Sequence, residues 1–185
     1  MSPILVRPIR EQFEHDRVIR LLQTRFRKSK KKYVVAANIG DEKTAAVRVG
    51  IKTFHPDLVL TSAARSRRIL GVVEVETSES VNNLEAMAEW AHFGKLKGPF
   101  YLYVPAGAAE IARRLCEDNK VEVAEIWTYF ALGQQMRFAL AYRAEPAEKP
   151  TGPPRSRKPA ARRGRSVSIS KKGAARKTTR ARTRS

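Results

Sequence analysis

The chain is poor in the residues that would tie it together covalently or carry it through a membrane. It has one cysteine, Cys116, among 185 residues, which excludes an intramolecular disulfide and suits a reducing compartment. No apolar run approaches the ~20 residues of a membrane span. The start, Met1 to Arg7, lacks the long apolar stretch of a signal peptide. The expectation is a cytoplasmic protein without a membrane partner, nucleoid-associated if bacterial. The three histidines, His15, His55 and His92, have no zinc-ligand spacing, which argues against a zinc site. There is no helix-turn-helix, zinc finger or RNP motif, so no base-reading element is legible. Acids are scarce as well. Eighteen Asp and Glu face 37 Lys and Arg, for a net charge of +19 and a pI near 10.7, and a polyanion is the partner class this implies.

The excess charge is unevenly placed. Residues 144–185 hold 14 Lys and Arg against two acids and no aromatic residue, leaving +7 for residues 1–143. Such a segment cannot bury enough apolar surface to offset its ordering entropy, so a disordered tail is expected over 144–185 and a folded domain over 1–143. A solubilising tail is the plainer account. Cations this dense are better placed along phosphates, releasing counterions. The candidates for nucleic-acid contact are Arg155, Arg157, Lys158, Arg162, Arg163, Arg165, Lys171, Lys172, Arg176, Lys177, Arg180, Arg182 and Arg184. DNA is the expected partner, and a basic tail does not by itself exclude RNA.

Within the domain, Arg10 to Lys30 reads as a helix with Phe13, Val18, Leu21, Leu22 and Phe26 inward. Its basic end, Arg25 to Lys32, is either a solvated terminus favoured by the helix dipole or a phosphate-contacting patch, and the former is preferred for this run alone. Strands follow at Tyr33 to Ile39 and Ala45 to Lys52, separated by a turn at Gly40 to Lys43. Two further strands, Phe54 to Leu60 and Gly71 to Thr77, flank a polar loop. A helix over Ser80 to Leu96 packs through Val81, Leu84, Met87, Ala88, Ala91 and Gly94. Glu85 and Glu89 read as a solvated acidic stripe on it, and Trp90 and Phe93 as core or rim. Phe100 to Val104 reads as a buried strand. Ala108 to Asp118 is a helix with Ile111, Ala112 and Leu115 inward and Cys116 as an inert core residue. Val121 to Leu132 and Met136 to Tyr142 form a closing hairpin.

The chemistry concentrates where two strands carry acids in apolar surroundings. Side chains alternate along a strand. His55, Asp57, Val59 and Thr61 therefore share one face, and Val72, Glu74 and Glu76 share a face. A hairpin turning near Arg65 sets Asp57 beside Glu74, with Cβ atoms roughly 4.5–5.5 Å apart. Two buried carboxylates that close repel, and a proton or cation between them relieves the repulsion.

Pro56-Asp57, then Glu74-Val75-Glu76 on the next strand, then a helix and a strand, resemble the PD-(D/E)xK nuclease superfamily over roughly residues 10–130. The resemblance implies an α/β domain with a restriction-endonuclease-like αβββαβ core, a central mixed sheet flanked by helices. It implies hydrolysis of DNA phosphodiester bonds with Mg2+ (or Mn2+) held by Asp57 and Glu74. The family's lysine position holds Glu76 here, which leaves Glu76 as a further metal ligand or a general base. Glu14, His55 and Lys95 are accessory candidates: an acid on the first helix, a hydrogen-bond partner for Asp57 or the metal water, and a lysine from the following helix. The alternative is a DNA-binding protein that keeps the fold without the catalysis.

Overall fold

The computed structural model describes residues 8–145, except residues 30, 32, 41, 65 and 66. The expected tail disorder and its cations, Arg155 to Arg184, lie outside the described residues. Helix α1 is Ile9–Arg27, entered through Pro8, whose missing N–H costs nothing at a helix start. Its buried stripe is His15, Val18, Ile19 and Leu22, with Phe26 partly buried at the same spacing. Phe13 lies about 160° around the helix from His15 at 100° per residue. It is 71% exposed, not inward as its apolar character suggests.

The strands are β1 (Tyr33–Ala37), β2 (Val47–Val49), β3 (Lys52–Phe54), β4 (Leu58–Ser62), β5 (Ile69–Val75), β6 (Phe100–Pro105), β7 (Glu125–Leu132) and β8 (Gln135–Arg143). The strand expected over 45–52 instead folds on itself. Gly50 adopts φ +61°, where glycine has no Cβ penalty, and turns β2 back onto β3. The strand expected from Phe54 also divides, because Phe54 ends β3 and β4 starts only at Leu58. A helical segment, α2 (residues 83–93), is capped by the Asn82 side chain, which accepts the N–H groups of Leu84 and Glu85. It widens to a π-turn over Ala86–Trp90 before closing as α-helix at Ala91–Phe93. Helix α3 is Ala109–Asp118.

Six strands form a mixed sheet in the order β1-β4-β5-β6-β7-β8. β4 runs antiparallel to both β1 and β5; β6 runs parallel to β5 and β7; β8 closes antiparallel on β7. The α2 and α3 crossovers allow the parallel central pairs. On one face Leu58, Leu60, Val73 and Val75 meet Val18, Ile19 and Leu22 of α1. On the other, Val59 and Val72 meet Trp90, Phe93, Ala112 and Cys116. This sorting follows the alternation of β4 and β5. Trp90 and Phe93 are fully buried, each worth roughly 4–6 kcal/mol of apolar transfer. Leu84, Met87 and Ile111, expected inward, are more than half exposed, because α2 and α3 turn other stripes to the sheet. Among the described residues no helix is long and apolar enough to cross a membrane.

Candidate active site

Asp57 and Glu74 meet because the β4–β5 register brings them together. Leu58 pairs with Val73, and one step further sets Asp57 opposite Glu74. Pro56 has no N–H, so the ladder is interrupted there. The carbonyl of Pro56 accepts Nδ2 of the buried Asn38 at 2.7 Å, and the same amide exchanges bonds with Ala45. Asn38 thus fastens the turn carrying Asp57. At this break the Val75 N–H donates to Asp57 Oδ2 at 2.7 Å, and the Asp57 N–H donates to Glu74 Oε2 at 3.3 Å. His15 Nε2 lies 3.2 Å from the same Asp57 Oδ2. Its Nδ1 lies 3.4 Å from Asp16 Oδ1, an oxygen that also accepts Gln12 Nε2 and the Gly40 N–H.

Glu74 is 5% exposed. Burial pushes its carboxyl well above the usual range, and the charges of Asp57, Glu89 and Glu76 push it further; the Asp57 N–H opposes them. Glu76 is 1% exposed and held from three directions. Its Oε1 accepts the Trp90 indole N–H at 2.8 Å, its N–H donates to the Tyr103 carbonyl at 2.8 Å, and its carbonyl accepts the Tyr129 hydroxyl at 2.8 Å.

The structure redistributes the accessory residues. Glu14 is exposed, while its neighbour His15 is buried and reaches Asp57. His55 is exposed, so the histidine contact to Asp57 comes from α1 and not from the strand. Lys95 lines a cleft of about 540 Å3 with Arg48, Arg68, Ile69 and Lys97. Ile69 opens β5, five residues or roughly 16 Å before Glu74. Glu85 and Glu89 are half-buried and not a solvated stripe. The π-turn adds a residue to the repeat and changes which side chains face the sheet, so Glu89 acts on Glu74.

His15 and Glu89 are the residues sequence reasoning missed. The clue to His15 was its spacing, because it heads the stripe continued by Val18, Ile19 and Leu22. Glu89 offered no comparable clue, because nothing in the local sequence announces a π-turn.

Among the described residues no three His, Cys, Asp or Glu side chains are grouped to hold a metal ion. Magnesium keeps several waters and accepts one or two carboxylates, so Asp57 and Glu74 are a suitable hard-oxygen set. A carboxyl buried among three other acids is also the environment a divalent cation relieves. The residues present therefore fit the ion. Comparison with family models, with curated proteins and with solved structures finds no match to this chain.

Proposed function

We propose that the protein is a metal-dependent nuclease hydrolysing DNA phosphodiester bonds, with α1, β1, β4, β5, α2 and β6 as a restriction-endonuclease-like core of the PD-(D/E)xK type. The observation that supports this most is the juxtaposition of Asp57, just before β4, with Glu74 on the adjacent β5, buried among acids. Asp57 and Glu74 would hold Mg2+ or Mn2+, which when bound supplies an activated water and neutralises developing negative charge. The chain's own part is positioning. Val75 N–H and His15 fix Asp57 by one oxygen, and Asn38 fixes the turn beneath it. Trp90 keeps the Glu76 carboxylate from swinging freely, so Glu76 adds negative charge and raises the basicity of Glu74. The cations of the cleft around Arg48, Arg68, Lys95 and Lys97 give the DNA backbone a place to lie at the other end of β5.

The test is cleavage of duplex and single-stranded DNA with Mg2+ or Mn2+, against a chelator control. Asp57→Asn and Glu74→Gln should abolish cleavage and leave DNA binding intact. A second reading rests on Glu76. It stands where the family has lysine and is buried against an indole, which suits a DNA-binding protein without catalysis. In that case chelator and both substitutions change nothing.

A further inference from the structure

Away from the acids, the face of the sheet carrying α1 has a row of aromatic rings. Helix α1 ends at Arg27, and beyond its last turn lies a groove of about 280 Å3. Tyr33, Tyr101, Tyr103 and Trp127 line it from the sheet, Arg25 and Lys31 from the helix end. Tyr33, Tyr101 and Trp127 are half-buried, whereas Tyr103 is buried. Tyr103 and Trp127 lie nearly parallel, with centroids 6.0 Å apart and 10° between planes. Gly71 makes the seat for Tyr101, since a Cβ there would come within 3.0 Å of its Cε2.

The polar groups of the groove are arranged for an anion. Arg25 stacks over Trp127 at 4.9 Å from the ring centroid, a pose that leaves guanidinium N–H groups for a phosphate. The acid in the groove, Glu125, is already engaged: Oε2 accepts the Trp127 indole N–H at 2.7 Å and Oε1 the Arg143 guanidinium at 2.9 Å. Burial raises both Tyr101, to about 12, and Tyr103, so both phenols stay neutral. The basic run beginning at Arg25, which composition alone leaves as a solvated helix end, is here placed against aromatic faces.

We infer that this groove binds an unpaired base of a single-stranded nucleic acid against the half-buried rings of Tyr33 and Tyr101 beside Trp127, with Arg25 and Lys31 on its phosphate. A duplex keeps its base faces stacked on each other and offers only edges and backbone, whereas an unpaired base presents a π-face to any aromatic platform. This binding does not depend on the nuclease reading and is measured in chelator, where no cleavage occurs.

The full chain would be titrated at raised salt with a twelve-residue oligothymidylate, a hairpin duplex, and poly-glutamate of matched charge. Intrinsic tryptophan fluorescence is the readout. Trp90 is fully buried, so quenching reports Trp127. The expected result is saturable quenching by the single strand, with Tyr33→Ala and Tyr101→Ala weakening it about 5- to 100-fold and leaving duplex affinity unchanged. Equal losses for single strand and duplex would overturn the inference, as would equal quenching by poly-glutamate, which marks a site for acidic peptides. Should a variant fail to fold, photo-crosslinking of a 5-iodouracil oligonucleotide to the wild-type chain replaces it. Crosslinks at Tyr33, Tyr101 or Trp127 uphold the groove, and crosslinks confined to other residues refute it.

Discussion

The two ends of β5 differ in the sign of charge gathered around them. At its last residues Glu74 is buried beside Asp57, Glu76 and Glu89. At its first, Ile69 lines a cleft with Arg48, Arg68, Lys95 and Lys97. The cations are exposed and can move into water, so their mutual repulsion is screened. Asp57, Glu74 and Glu76 are buried and cannot, so the repulsion appears as a raised Glu74 pKa. The cationic end attracts a polyanion unaided. The acidic end repels one, and on the proposed reading a bound divalent ion would reverse the local field. On the proposed reading, the surplus cations mark where a nucleic acid would be attracted, and the scarce acids mark where chemistry on it would need a metal.

The largest effect that would break this comparison is on cleavage. Asp57→Asn or Glu74→Gln should lower the cleavage rate by at least ~10²-fold with little change in DNA affinity. Equal activity in the variants and the wild type would remove the acidic end from the mechanism. The next effect belongs to the basic groups. Replacing Arg48, Arg68, Lys95 and Lys97 by alanine should reduce the log–log salt slope of DNA binding by about 0.9 for each phosphate no longer neutralised. Removing residues 144–185 should flatten it as well, with affinity falling for every sequence. A slope that responds only to the tail would mean that the cleft touches no phosphate.

A third test acts on stability. Folding favours the protonated form of Glu74, so between the ordinary carboxylate pKa and the raised one the native state binds more protons than the unfolded state. Stability should therefore fall as pH rises through that window. In metal-free buffer, Glu74→Gln should melt higher than wild type at neutral pH, and the gap should close on acidification below pH ~4. Added Mg2+ should raise the melting temperature of the wild type and not of the variant. A variant that melts lower at every pH would count against burial of a strained acid.

Smaller again is Trp90→Phe. It removes the indole bond to Glu76 and should cost roughly 1–3 kcal/mol by denaturant titration, since the carboxylate is left buried without that donor. The smallest is the thiol. Burial holds Cys116 at about 12, so the native protein should resist alkylation at pH 8 and react only on unfolding.

Much of this was legible in one dimension. The alternation of Leu58 to Leu60 and Val72 to Val75 set their faces, and the hairpin register placing Asp57 beside Glu74 follows from the same pattern. The hairpin at Gly50 escapes such a reading because its strands are three residues each, too short to show a period. Nearness along the helix suggests Lys95, but the helix runs away from the acids and carries it to the other end of β5. His55 and Glu14 stand close in sequence to an acid strand or on the first helix, whereas the contact to Asp57 spans 42 residues, from His15.

The sequence by itself determined the mixed α/β class, the neighbouring placement of Asp57 and Glu74 and the surplus of positive charge, because hydrophobic periodicity and charge counts are local properties of the chain. Only the tertiary structure decided which histidine meets Asp57, which acids crowd Glu74, and that rings from β1, β6 and β7 line one groove. Those neighbours come from segments tens of residues apart. Their distances are set by helix phase and strand order, which no local window of sequence contains.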